Sequence, residues 1–236
     1  MNQWPFLSTP WGNPPWVMQG SMVTSYFSIA VDDLRGEVHP DLLPKTERTI
    51  ARARYYQIVA DTELGEVAFN EAVLAFRTSW GSHEGEISYR MWTDSQSYLL
   101  WGREVFGWPL ELADLPASQD FWRSGGEFAV KNEAFRGRFE PLSPLDSPLY
   151  APTPSVWITP RRRLFMGGGA EEDTVLLVIP EVLDSGTVTA CTMDFDTSPY
   201  WPSAQPLGSY LTSGFQLRVG EAEAIDVRSR FDSKHD

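Results

Sequence analysis

Between Gly65 and Phe76 the chain places Val67, Phe69, Glu71 and Val73 on one face and Ala68, Asn70, Ala72, Leu74 and Phe76 on the other, and both faces are largely apolar. Successive side chains of an extended strand point to opposite sides. A strand apolar on both sides must be covered on both sides, which excludes a sheet with one face in water. The same pattern leaves Glu71 among apolar neighbours. A carboxylate there has to be paired, hydrogen-bonded or protonated, because an isolated buried charge is very costly.

The rest of the chain repeats short β-like runs broken by Gly and Pro. Ser21–Val31, Arg52–Asp61, Glu86–Asp94, Phe128–Phe139, Val156–Ile158, Val175–Ile179, Gly186–Phe195 and Tyr210–Val227 read as strands. Asp32–Pro44 reads as a short helical or turn segment, Trp80–Glu86 as a turn, and Pro141–Pro154, with five prolines, as an extended loop. Gly167-Gly168-Gly169 lacks the Lys-Ser/Thr of a phosphate loop and reads as a hairpin turn. Residues 1–20 form a Pro- and Trp-rich arm, anchored by Trp4, Trp11 and Trp16 over the core or a cavity mouth, and residues 228–236 form a charged tail. The pattern predicts one mainly β domain over residues 1–236, a barrel or strongly curved double sheet with few short helices.

One stretch resists assignment to a regular element. Gly102-Arg103-Glu104-Val105-Phe106-Gly107-Trp108-Pro109-Leu110-Glu111-Leu112 packs two glycines, a charged pair and a proline into eleven residues, and is expected to be a shaped turn that aims side chains, with Arg103 and Glu104 as a buried ion pair.

A net charge of −13 argues against a nucleic-acid or anionic-membrane partner, since both require a basic surface, and the Arg161-Arg162-Arg163 run reads as a solvated turn. The single cysteine, Cys191, excludes an intrachain disulfide and a thiolate cluster and is expected in the core. His39, His83 and His235 lack metal-site spacing, so no metal is expected. No basic-then-apolar leader opens the sequence, and the longest purely apolar run, Val175–Ile179, is far short of the roughly 20 residues that cross a bilayer; a cytoplasmic location is expected.

The ordered set Leu64-Gly65, Phe69-Asn70-Glu71, Gly85-Glu86, Met91-Trp92-Thr93-Asp94, Gly102-Arg103-Glu104 and Gly107-Trp108-Pro109 resembles the acetoacetate decarboxylase family. Pro154, Ile158-Thr159-Pro160 and Ala222-Glu223-Ala224 extend the resemblance over almost the whole chain. It implies a cone-like β-barrel around a small pocket and assembly as a homo-oligomer. It also implies a Schiff-base lysine directly after the Gly-aromatic-Pro, activated by a second lysine beside it that lowers its pKa and keeps it a neutral amine. Here those positions are Leu110 and Glu111, and the arginine implied in the first strand is Thr24. Of Lys45, Lys131 and Lys234, only Lys131 lies in a segment that reads as a barrel strand. The resemblance therefore implies a divergent member without imine chemistry.

Glu71 matches the pocket glutamate of that family, and Glu111 brings a second carboxyl to the former lysine site. If both face one apolar cavity, repulsion and desolvation keep one protonated and furnish an acid and a base. The expected substrate-binding residues are Met22, Thr24, Tyr89, Met91, Trp92, Trp108 and Leu110, an aromatic and apolar set suited to a hydrophobic small molecule. The expected activity is cofactor-free proton transfer in a cyclisation, dehydration, isomerisation or decarboxylation, of the kind used in natural-product biosynthesis. The other class these residues allow is a non-catalytic small-molecule-binding barrel.

Overall fold

A computed structural model describes residues 14–38, 40–63, 65–80, 83–115, 121–131, 133, 135–144, 156–161, 174–220 and 223–226. The strands are β1 (Trp16–Ala30), β2 (Arg48–Thr62), β3 (Gly65–Trp80), β4 (His83–Thr93), β5 (Leu110–Leu112), β6 (Gly126–Ala129), β7 (Arg136–Pro144), β8 (Trp157–Arg161), β9 (Thr174–Val178), β10 (Glu181–Asp184), β11 (Thr187–Phe195), β12 (Gln205–Val219) and β13 (Glu223–Asp226). The helices are α1 (Gln96–Phe106) and α2 (Phe121–Ser124), with two short 3-10 turns at Val31–Leu34 and Pro40–Leu42.

All thirteen strands belong to one sheet in the order β13-β9-β8-β4-β3-β2-β1-β12-β11-β7-β6, with β5 added to β4 and β10 to β12. Every pairing is antiparallel except β4 with β5 and with β8. The long strands β1 to β4 follow one another as meanders, so the expectation from alternation holds: Val23, Phe27, Ala53, Tyr55, Ala72 and Leu74 bury one core, while Met18, Met22, Tyr56, Ile58, Phe69 and Val73 bury another on the opposite face.

The sheet is strongly curved. Strands β8 and β12 are five positions apart, about 24 Å in a flat sheet at the usual strand spacing. Trp157 of β8 and Phe215 of β12 nevertheless line the same small cavity. Gly214 (φ 76°) sits at a bulge where β12 shifts register against β1, and its left-handed backbone, which glycine adopts without a Cβ penalty, helps the strand turn inward. No helix among the described residues is long and apolar enough to cross a membrane.

Several sequence expectations need correction. The segment from Gly102 to Phe106 is the second half of α1, which starts where Ser95 accepts a hydrogen bond from the Tyr98 amide at 3.2 Å. The helix stops at Gly107, whose left-handed backbone (φ 67°) lets its N–H reach the Arg103 carbonyl. Gly107 and Pro109 therefore mark the end of a helix and the exit into β5, and Gly102 is helical because a small residue lets Leu110 and Trp108 lie against the helix. Arg103 is exposed, so it forms no buried ion pair. The expected turn at Trp80–Glu86 gives way to β4 from His83, and β7 continues through Pro144 into the expected loop. The arm is already strand β1 from Trp16 onward. Residues 1–13, the triple glycine at 167–169, Arg162, Arg163 and the tail lie outside the described residues. Cys191 is buried in the core.

Candidate functional site

On the face covered by α1, a cavity of about 50 Å³ opens between the helix and the curled sheet. Its walls follow from register. Tyr56 on β2 stands opposite Glu71 on β3, Arg54 opposite Val73, and Val73 opposite Met91 on β4. Because side chains alternate, these cross-strand partners all project to the same side. Met18 of β1 and Phe215 and Leu217 of β12 close one flank, Trp157 the other, and Tyr98 and Trp108 form the roof. Tyr98 stacks on Phe69, with ring centroids 4.1 Å apart, and Trp108 packs against Phe106 and Trp157, so both roof side chains are held by aromatic neighbours.

Two polar clusters interrupt this apolar lining. The first is Glu71, 5% exposed, whose Oε2 accepts a hydrogen bond from the Tyr98 hydroxyl at 3.2 Å. Burial raises its pKa to about 8, outweighing the Tyr98 hydrogen bond and the Arg54 charge, which both act to lower it. At neutral pH Glu71 therefore carries a proton. The same burial and the adjoining Glu71 push the Tyr98 hydroxyl well above its ordinary range, so it serves as a donor throughout.

The second cluster is cationic. Arg54 grips Glu86 with a two-pronged contact, Nη1 to Oε1 at 2.7 Å and Nη2 to Oε2 at 2.8 Å, and Nη1 also donates to the Tyr56 hydroxyl at 3.0 Å. Arg52, two residues back on the same face of β2, contacts the same Glu86 and lies 5.7 Å from the Tyr26 ring centre. Burial, followed by the charge of Arg54, lowers Arg52 to about 9, which still leaves it protonated at neutral pH. Two guanidiniums thus share one carboxyl group in the sheet interior. Arg54 Nε is buried without a hydrogen-bond partner.

Of the residues the sequence nominates, Glu71, Met91 and Trp108 line the cavity. Met22 and Leu110 are buried in the core that contains the cavity but stand behind its wall. Thr24 is buried on β1 directly opposite Arg54 and outside the lining. Trp92 faces the opposite core by simple alternation with the cavity-lining Met91, and Tyr89 joins it because β4 carries an extra residue where Leu74 pairs with Arg90 and Ala75 with Ser88, which turns Tyr89 away from the cavity.

Glu111 is exposed, one residue past the inward-facing Leu110 on β5, so alternation directs it away from the cavity and the expected pair of carboxyls in one pocket does not form. Lys131 is exposed and lies 3.4 Å from Asp114. No lysine lines the cavity among the described residues.

Sequence reading missed Arg54, Arg52, Glu86, Tyr56 and Tyr98. Arg54 and Arg52 alternate with Ala53 and Tyr55, a pattern that fits a solvated face equally well; only Glu86, remote in sequence, reveals the buried ion cluster. Tyr98 and Trp101 at i and i+3 carry the helical signal that could have placed Tyr98 on the inner side of α1. Among the described residues there is no cluster of three or more His, Cys, Asp or Glu that could hold a metal.

No protein-family model and no curated protein matches the sequence. Solved structures do match in fold. The enduracididine biosynthesis enzyme MppR superposes with a TM-score of 0.70 at 14% identity, over 95% of this chain and 94% of that one. The acetoacetate decarboxylase of Legionella pneumophila superposes with a TM-score of 0.69 at 11% identity, over 97% of this chain and 94% of that one. An acetoacetate decarboxylase-like enzyme from Sphingomonas wittichii RW1 gives 0.68 at 14% identity, over 96% of this chain and 99% of that one. The chain has the acetoacetate decarboxylase-like fold, at an identity where fold alone is shared.

Proposed function

We propose that this chain is an enzyme that works without a Schiff-base lysine, using Glu71 for proton transfer to and from a small, largely apolar metabolic intermediate. The observation that carries this reading is the buried, cavity-lining carboxyl of Glu71, held by Tyr98 and raised to a pKa of about 8. A carboxyl poised near the working pH is protonated often enough to act as an acid and basic enough, once ionised, to take the proton back. Tyr98 fixes one oxygen, which leaves the other to exchange the proton. The apolar walls keep water from competing.

The lining makes imine chemistry the less favoured mechanism, because it contains no lysine among the described residues. Cavity size narrows the substrate. At roughly 10–15 Å³ per water-sized site, about 50 Å³ holds only a few heavy atoms. Cyclisation, dehydration, isomerisation and decarboxylation of such a molecule all require a proton moved at a fixed carbon or oxygen. A place in natural-product biosynthesis is supported only by likeness in fold to MppR.

The test is solvent deuterium exchange. Butanone and short 2- and 3-oxo acids are incubated with the protein in D₂O and followed by proton NMR. Wild type is expected to exchange protons beside the carbonyl, and Glu71→Gln to lose roughly 10²–10⁴-fold of that rate. Equal rates in the two proteins contradict the reading, as does a borohydride-trapped covalent adduct of wild type with an oxo acid. Tight binding with no exchange or turnover by wild type favours the non-catalytic barrel.

A further inference from the structure

The cavity lining contains the hydroxyls of Tyr56, Tyr98 and Ser88. Tyr98 gives its hydrogen to Glu71. Tyr56 is arranged the other way round. Its oxygen accepts from Arg54 Nη1 at 3.0 Å, and a guanidinium only donates, so the Tyr56 hydrogen takes no part in that contact. No described residue accepts this hydrogen. Tyr56 is buried, and a buried donor without an acceptor is costly; in a cavity wall it is satisfied by the molecule that the cavity binds.

Arg54 also sets the strength of this donor. Glu86 holds both Nη groups, which fixes the guanidinium against the phenol oxygen. A charged donor on that oxygen draws electron density from the O–H bond and strengthens the hydrogen bond that the hydrogen makes in turn. Burial raises the pKa of Tyr56 and outweighs the lowering effect of Arg54, so the hydroxyl keeps its hydrogen. Register places this donor beside the proton-transfer group. Tyr56 on β2 and Glu71 on β3 are cross-strand partners, and their side chains leave the sheet side by side into one cavity.

We propose that Tyr56 is a catalytic residue whose hydroxyl, polarised by Arg54, donates a hydrogen bond to the carbonyl oxygen of the substrate while Glu71 acts on the adjoining carbon. This rests on the reading of Glu71 as the proton-transfer group and adds the group that holds the oxygen. In the step, the ionised Glu71 carboxylate takes a proton from the carbon beside the carbonyl. The C–H electron pair becomes the C=C bond of an enolate, and the carbonyl π pair moves onto oxygen. The Tyr56 hydrogen bond tightens as charge grows on that oxygen, and return of the proton from Glu71 to carbon reverses the step. Polarisation by a hydrogen bond takes the place of a covalent bond to the chain.

Difference infrared spectroscopy of butanone labelled with carbon-13 at its carbonyl, bound to the intact protein, tests the contact apart from catalysis. In wild type the bound C=O stretch is expected at lower frequency than in Tyr56→Phe, where it moves toward its value in hydrocarbon solvent. Glu71→Gln and Ser88→Ala, which both keep Tyr56 and Arg54, are expected to retain the low-frequency band. Deuterium exchange by Tyr56→Phe is expected to fall about 10²–10³-fold, the effect of removing one donor to a developing oxyanion, with the loss in the maximal rate and KM little changed.

A wild-type band at the hydrocarbon value, a low-frequency band that survives in Tyr56→Phe, or one that is lost in Ser88→Ala each overturns the proposal. The wild-type and Ser88→Ala spectra keep it open to refutation even if Tyr56→Phe fails to fold. A low-frequency band that depends on Tyr56, in a wild type that exchanges no deuterium, contradicts the role of Glu71 and supports the Tyr56 contact. Exchange with the carbonyl at its hydrocarbon frequency overturns the Tyr56 contact and leaves Glu71 standing.

Discussion

Tyr98 donates its hydroxyl hydrogen to Oε2 of Glu71 at 3.2 Å, and this contact joins the helix that roofs the cavity to strand β3 of the sheet. The hydrogen bond favours the ionised carboxylate and so holds the pKa of Glu71 down against burial. Tyr98→Phe removes the donor while keeping the ring stacked on Phe69. Glu71 is expected to titrate higher than about 8 in this variant. The pH profile of any proton-transfer rate is expected to move upward with it, and deuterium exchange measured against pH checks the shift.

The raised pKa of Glu71 has a thermodynamic counterpart. The unfolded chain releases this proton near the ordinary carboxyl value of 4.5, whereas the folded chain keeps it until about 8. Its contribution to stability is therefore fully present below about 4.5 and is lost progressively as pH rises through about 8. Thermal unfolding of wild type is expected to show a melting temperature that falls between pH 5 and 9. The curve of Glu71→Gln, which cannot ionise at this position, is expected to be flatter over the same range.

Glu86 is the counter-charge for two guanidiniums that are each about as buried as it is. Glu86→Gln leaves Arg52 and Arg54 side by side without an anion, and breaking a buried pair in this way costs roughly 3–5 kcal/mol. Urea denaturation is expected to show a loss of that order, larger than for Arg138→Gln at the exposed Arg138–Glu140 pair, where the expected loss is about 0–1 kcal/mol.

Gly102 sits in α1 with Leu110 and Trp108 against it. A Cβ there would stand 2.3 Å from Leu110 Cδ1 and 3.0 Å from Trp108 Cε3. Alanine improves helix propensity by about 1 kcal/mol, but overpacking a dense core costs about 1–3 kcal/mol, and Leu110 is buried with little room to move. Gly102→Ala is expected to be destabilising in the wild-type background. In Leu110→Ala it is expected to be neutral or stabilising, and a double-mutant cycle by chemical denaturation reads the coupling.

The curved, mainly β architecture was legible because period-2 alternation in β1 to β4 is strong and both faces of β3 are apolar. Glu71 was legible for the same reason: a lone carboxyl between Phe69 and Val73 is conspicuous. The helical half of the Gly102–Leu112 stretch was not legible, because Gly102 weakens the helical signal and is tolerated only through its contacts with Leu110 and Trp108. Register decided the rest. One extra residue in β4 sends Tyr89 to the opposite core, and one step along β5 sends Glu111 to solvent. Arg54 could not be told from a surface arginine until Glu86 was brought beside it.

The central claim is that one buried carboxyl, protonated near neutrality, faces the cavity. Carbon-13 NMR of the labelled glutamate side chains, with Glu71 assigned by difference from Glu71→Gln, follows that carboxyl directly as pH is varied. A midpoint near 8 is the predicted result. A midpoint below about 5, in the range of ordinary carboxyls, would mean that Glu71 is ionised in the working protein and would contradict the acid/base role.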